Sequence, residues 1–370
     1  MKCETYCLGN VCTFIDYRGK TPPKTTSGIP LITAKIVKNG AIQEPQEFIA
    51  ESYYDEWMRR GIPKQGSVVF TTEAPLGEVA RIRTNDKLAF AQRIIVLESK
   101  QQYLNPDYLF YSLQDCVLKS RIEARATGTT VIGIKAAELK RVEIDLPPLL
   151  TQKQIAAVLC VLDDKIELNN KINDNLEQQI EAIFNNKYAP SLCCPNWVVG
   201  TIGDVVTLQR GYDLPRDKMV SGSYPVAGST DTIFYHNEYT TEAPCVVMGR
   251  SGNIGKPRLY MERCWAHNTT LFVKDFKGNN PYWSYYMLRS IDYSQFRGGS
   301  AVPTLNRNHV HSFEISIPPV NQQNEFAEII LPLLLLIENN RKEIKRLSTL
   351  RQALLPKLMA GEIDISDIDL

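Results

Sequence analysis

The chain repeats itself, and that repeat limits its fold more than any single motif does. Glu143-Ile144-x-x-Pro147-Pro148 recurs 171 residues later as Glu314-Ile315-x-x-Pro318-Pro319. Without a gap, the same offset pairs Gln152 with Gln323, Ala156 with Ala327, Ile166-Glu167 with Ile337-Glu338, and Asn169 with Asn340. It goes on to pair Lys171 with Lys342, Leu176 with Leu347 and Ala182 with Ala353. Upstream, Gly128-Thr129-x-Val131-x-x-Ile134 answers Gly299-Ser300-x-Val302-x-x-Leu305. Further back the offset drifts, as unequal loops require. Asn105-Pro106 answers Asn280-Pro281, Val68-Val69 answers Val246-Val247, and Leu8-Gly9-x-Val11-x-Thr13 answers Ile202-Gly203-x-Val205-x-Thr207. A period this long is a domain plus a helix, not the unit of a solenoid. The order is globule, helix, globule, helix.

The helical parts are the clearest. Residues 151–188 hold no Gly or Pro and place apolar side chains in alternating steps of four and three. Ile155, Leu159, Leu162 and Ile166 lead to Asn169 and Asn173, then to Leu176, Ile180 and Ile183. That spacing is a coiled-coil seam rather than the broader stripe of a globular helix. The second copy keeps it at Phe326, Ile330, Leu333, Ile337, Asn340, Ile344, Leu347 and Leu354, with Arg351 breaking it once. Thr151 to Gln154 reads as a capping box that starts the first helix, Pro190 ends it, and Gly361 suits a C-cap for the second. Pro332 predicts that the second helix begins or kinks there. Asn169 and Asn340 read as register-setting polar residues, or as a solvated stretch where the seam opens. A helix over 151–188 is roughly 57 Å long at about 1.5 Å per residue. Two seams of equal length predict an antiparallel coiled coil with pseudo-twofold symmetry.

The globules mix short apolar strands (67–71, 94–97, 245–249, 271–273) with a helix in each copy (107–118, 282–289), which makes them α+β. The expected boundaries are 1–148 for the first globular domain and 149–190 for the first long helix. The second domain follows at 191–319, the second helix at 320–361 and a tail at 362–370. Loops on such scaffolds carry recognition. Three pairs of corresponding loops hold side chains able to read base edges or grip phosphates. The first pair offers Arg18 and Lys20 against Arg210 and Tyr212. The second offers Thr72 against Arg250 and Asn253. The third offers Gln92 and Arg93 against His267 and Asn268. Any one of these is also an ordinary exposed loop residue. As a set they combine one scaffold with different side chains, as two readers of different sequences would.

Other features exclude more than they suggest. A net charge of +1 permits nucleic-acid binding without arguing for it. The N-terminus lacks the apolar core of a signal peptide, and the longest apolar run, 329–337, falls far short of the roughly 20 residues a membrane span needs. A cytoplasmic protein is expected. The nine cysteines match no zinc spacing and read as reduced thiols, and no metal is expected. No phosphate-binding Gly-rich loop with its lysine, no zinc-protease helix and no dinucleotide fingerprint is present. Asn105-Pro106-Asp107-Tyr108 resembles the Asn-Pro-Pro-Tyr of amino-methyltransferases, but the third residue departs and Asn280-Pro281-Tyr282-Trp283 departs further, so each reads as a helix start. Arg216-Asp217-Lys218 is similarly weak as a nuclease remnant. All four histidines lie in the second copy, at 236, 267, 309 and 311, which excludes a symmetrical His chemistry. The chain reads as non-catalytic.

The helical motifs are similar to those of a known family. Leu146-Pro-Pro-Leu149, Gln152-Lys-x-Ile155-Ala156, Leu162-Asp-Asp-Lys-Ile166-Glu-Leu-Asn169 and Ala182-Ile-Phe184 resemble the first conserved helical region of type I restriction–modification specificity subunits. Ile317-Pro-Pro319, Gln322-Gln323, Leu350-Arg-Gln-Ala-Leu-Leu355 and Gly361-Glu-Ile363 resemble the second. The resemblance implies that each globule reads one half of a split, asymmetric DNA target and that the helices set the spacer. It implies two methyltransferase subunits and motor-nuclease subunits as partners, on double-stranded DNA. No cofactor is implied in this chain; S-adenosylmethionine, ATP and Mg belong to the partners. Two rivals stay open. One is a fused methyltransferase or nuclease, and the other is a non-DNA scaffold holding two partners on a coiled coil.

Overall fold

The structure is a computed structural model that describes residues 3–19, 21–192, 194–251, 254–296 and 304–365. Two long helices, Leu149–Lys187 and Val320–Ala360, alternate with two α+β globules. The chain forms two compact units, and each takes part of both helices. One comprises Met1–Glu167 with Ile344–Leu370, the other Leu168–Glu343.

In the first unit, Cys12–Asp16, Ile94–Ser99, Val68–Thr72 and Leu76–Arg81 form, in that spatial order, an antiparallel sheet. Side chains of a strand alternate between faces, and here both faces of the two inner strands are covered, so Val68–Thr72 and Ile94–Ser99 begin as unbroken apolar runs. Val68, Phe70, Ile95 and Leu97 pack with Tyr108, Leu109, Ile155, Leu159, Leu355 and Leu358. Val69, Ile94 and Val96 turn to a second core with Tyr17, Leu31, Ile32 and Phe90. The second unit repeats the plan with Thr207–Arg210, Thr270–Asp275, Cys245–Gly249 and Gly255–Tyr260. There Val246, Met248, Leu271 and Val273 pack with Trp283, Phe326 and Ile330, while Cys245, Val247 and Phe272 face away into a smaller cluster.

The Asn-Pro pairs start helices, as expected. The Asn105 Oδ1 accepts the amide N–H groups of Asp107 and Tyr108, and Asn280 does the same for Tyr282 and Trp283. Each Asn is an N-cap with proline in the first turn. The helix expected over 107–118 is two helices, Pro106–Ser112 and Cys116–Glu123. Asp115 caps the second one by accepting from the Val117 amide.

Two expectations for the long helices need correction. The first helix starts at Leu149, because the Pro148 carbonyl already accepts the Gln152 amide. Thr151 therefore lies inside the helix, and the capping box does not form. Gln152 instead turns inward, where it is 1% exposed. Its amide donates to the carbonyls of Tyr103 and Pro147, at 3.0 and 2.9 Å, while its Oε1 accepts the Asn105 N–H at 2.9 Å. Gln323, fully buried, repeats this with the Pro318 carbonyl, the Asn279 side chain and the Asn280 N–H. Finally, the second helix neither begins nor breaks at Pro332. That proline is exposed, and its buried neighbours Phe326, Ile330 and Ile337 hold the helix to its unit. The carbonyl left unpaired one turn back, at exposed Glu328, is free to meet water. Gly361, with φ at 73°, closes the second helix: its N–H bonds the Leu358 carbonyl, and the Glu362 N–H bonds that of Lys357.

Within each unit the two helices run antiparallel. In the second, Asn169 donates to Glu343, Asn340 to Asn173, and Lys187 to Glu325, so numbers rise on one helix as they fall on the other. Asn169 is 1% exposed, and Ile180, Ile337 and Ile330 are buried beside it along the seam. In the first unit Ile155 and Leu159 are buried, while Leu162, Ile166, Ile344 and Leu347 are half-buried. The break at Arg351 has a partner there: its Nε lies 2.5 Å from Asp163, and each side chain is only 17% exposed. Asp163 also accepts from the Tyr111 hydroxyl, and Arg351 donates to Gln114, so the pair joins both helices to the first globule. In the second unit Arg289 ties the globule to the first helix by pairing with Glu177 and Glu181, and Glu177 pairs in turn with Arg341 of the second helix. No helix among the described residues is long and apolar enough to cross a membrane.

Candidate nucleic-acid interface

Sheet topology collects the candidate loops. In the first unit the Ile94–Ser99 strand lies between Cys12–Asp16 and Val68–Thr72 and runs antiparallel to both. The ends of the two outer strands and the start of the middle one therefore meet at one edge of the sheet. The Tyr17 N–H bonds the Ile94 carbonyl and the Thr72 N–H bonds the Arg93 carbonyl, which ties the three turns together.

This edge presents Arg18, Gln92 and Arg93. Gln92 and Arg93 are exposed, and Arg93 sits at the turn with φ at 71°, in the left-handed region that few non-glycine residues occupy. Its Nε pairs with Glu73 at 2.9 Å. Arg18 is half-buried and is gripped by Asp16, with Nε and Nη2 at 2.8 and 2.7 Å from the two carboxylate oxygens. Thr72 does not join them. It is 2% exposed, in a strand whose side chains are all buried, so its hydroxyl faces protein. Lys20 lies outside the described residues.

The second unit builds the same edge from Thr207–Arg210, Cys245–Gly249 and the start of Thr270–Asp275. The Gly211 N–H bonds the Thr270 carbonyl, the Tyr212 N–H that of Ala266, and the Arg250 N–H that of Thr269. A Cβ on Gly211 would stand 2.1 Å from the His267 carbonyl oxygen, so only glycine lets the two turns approach. Arg210, exposed, reaches the Asn268 carbonyl at a long 3.4 Å. Tyr212 is 42% exposed and its hydroxyl accepts from Gln209. Asn268 donates to Asp213, and the His267 Nδ1 meets the Thr269 hydroxyl at 3.1 Å. Burial lowers the His267 pKa, which keeps the ring neutral near neutral pH. Arg250 is half-buried at the mouth of its turn, and Asn253 lies outside the described residues.

Arg210, Tyr212, Arg250, His267 and Asn268 are thus neighbours on one edge, as are Arg18, Gln92 and Arg93 on the other unit's edge. Asp16, Glu73 and Asp213, which orient these side chains, escaped the sequence reading as orienting groups. So did Arg60, whose Nη1 donates to the carbonyls of Asp16 and Arg18. The one signal available was Asp16, two residues before Arg18; nothing in the order of residues links Arg60 to that turn. Arg216–Lys218 is a short 3-10 turn. No group of three or more His, Cys, Asp and Glu among the described residues is placed to hold a metal ion.

Comparison with known proteins agrees with this layout. The family described as the type I restriction modification DNA specificity domain matches twice, at residues 2–178 and 195–349. The type I restriction enzyme MjaIX specificity subunit of Methanocaldococcus jannaschii is 25% identical over 391 residues, covering 92% of this chain and 88% of its own length. The MjaVIII specificity subunit of the same organism is 21% identical, covering 90% and 91%. The crystal structure of the S subunit of a type I restriction–modification system from M. genitalium shares the fold, with a TM-score of 0.61 at 16% identity over 97% of this chain and 96% of that one. Matched over most of its length, the chain belongs to the type I restriction–modification DNA specificity family, the non-catalytic specificity components of type I restriction enzymes.

Proposed function

We propose that each unit reads one half of a bipartite, asymmetric DNA target, and that the long helices set the unspecified spacer between the halves. The observation that carries this is the pair of equivalent sheet edges. The same three turns converge in both copies, yet one edge offers Arg18, Gln92 and Arg93 and the other Arg210, Tyr212, Arg250, His267 and Asn268. Equal scaffolds with unequal side chains suit two half-sites of different sequence. The helices span 39 and 41 residues, roughly 60 Å each at about 1.5 Å per residue, against about 34–36 Å for a turn of DNA. On this reading two methyltransferase subunits and a motor-nuclease subunit assemble on the chain, which directs adenine methylation and cleavage without performing either.

Selection from a randomised duplex pool, with the full chain alone and with its methyltransferase partner, tests the proposal. Two short conserved blocks at a constant separation are expected, and removing one heptad from each helix should shorten the separation while leaving the blocks intact. Absence of sequence preference in both arms refutes the reading.

A further inference from the structure

We infer that Arg18 is a preset reader of a guanine, with Asp16 and Arg60 as the residues that position it. The inference rests on the DNA-reading role proposed above and adds the base that one residue recognises. A guanidinium has five N–H groups. Asp16 takes the side-on pair, Nε at 2.8 Å and Nη2 at 2.7 Å. This leaves the end-on fork, formed by Nη1 and the second N–H of Nη2, with no partner among the described residues. That fork is the one that spans the O6 and N7 of a guanine in the major groove.

The turn that carries it is fixed from below and from the side. Tyr17, 1% exposed, stacks on Phe90 with ring centroids 5.4 Å apart, and its hydroxyl donates to the Gly61 carbonyl. Arg60 holds the carbonyls of Asp16 and Arg18 at 2.7 and 2.9 Å, and the Arg18 N–H itself donates to Asp16 at 3.0 Å. A long side chain held on two atoms loses little entropy when it binds. The adjacent carboxylate also cancels most of the charge that would draw Arg18 to a phosphate. A neutral bidentate acceptor, the guanine edge, gains instead. The second copy lacks this device: Arg210 stands where Arg18 does, but Leu208 occupies the place of Asp16 and is buried.

The test uses the full chain with its methyltransferase partner and the target found by selection. In that target each guanine of the half-site read by the first unit is replaced in turn by 7-deazaguanine, which lacks the N7 acceptor. One position is expected to cost the wild-type protein roughly ten- to hundredfold in affinity and to cost Arg18→Lys nothing further. Asp16→Asn should lose discrimination at that same position while gripping unrelated DNA more tightly, and Asp16→Asn with Arg18→Lys should discriminate no worse than Arg18→Lys alone. A half-site without guanine, or an Arg18→Lys variant weakened equally on every sequence, overturns the inference and leaves the bipartite reading standing. A wild-type protein without any preference overturns both.

Discussion

Replacing Gln152 with alanine should open the junction between the first globule and its long helix. The side chain is 1% exposed and bonds two carbonyls, of Tyr103 and Pro147, and one amide, of Asn105. Truncation leaves three backbone groups of this part-buried junction without partners, each worth about 1–3 kcal/mol. A water molecule entering the vacated space would recover part of that sum, so the net cost is about 3 kcal/mol. Gln323 makes the corresponding three bonds and is 0% exposed, so Gln323→Ala should cost the second unit a similar amount. Amide hydrogen exchange read by mass spectrometry resolves each unit separately, which a single unfolding midpoint does not. About 3 kcal/mol corresponds to roughly 100- to 200-fold faster exchange over 106–112 for Gln152→Ala and over 281–289 for Gln323→Ala. Less than a tenfold change in both would refute the idea that the repeated glutamines clamp helix to globule.

The histidines predict a pH dependence confined to the second copy. The His311 Nε2 accepts the Leu208 N–H at 2.9 Å, and burial, then Arg307 and Lys277, lower its pKa. A ring kept neutral in the fold stabilises it fully above the unfolded pKa of about 6.5 and loses that contribution as pH falls below it. Exchange protection near Leu208 should therefore drop between about pH 7 and pH 5, and His311→Gln should flatten the drop; equal protection across that range would contradict it. For the ion pair on the helices, Asp163→Ala should cost about 3–5 kcal/mol by stranding Arg351 in a half-dry site. Asp163→Leu with Arg351→Leu should restore most of it in urea unfolding, and a double variant no better than the single one would refute the pairing.

Much of the architecture was open to reading because it rests on periodicity and local chemistry. Seam spacing gave the helices, Asn-Pro gave the two N-caps, Gly361 gave the final cap, and apolar runs gave the strands. The errors came where a local rule met a stronger neighbour. Thr151 resembles a cap, but the carbonyl of Pro148 had already begun the helix. Pro332 should interrupt a helix, but it falls on the solvent face, where a missing N–H costs least. Thr72 looks like a loop hydroxyl, yet the strand carries it one residue further into the core.

By itself, the sequence determined that two similar α+β domains alternate with two long helices, because duplication and seam spacing survive any choice of loops. It also brought three pairs of loops forward as readers. Only the tertiary structure decided which side chains in them share an edge, since that depends on an antiparallel strand placed between two others. It alone revealed that Asp16 and Arg60 hold Arg18, and that Asp163 answers the arginine that breaks the seam. Residues 18 and 60, or 163 and 351, are far apart along the chain, and no local pattern records a contact that arises only when distant strands and helices pack.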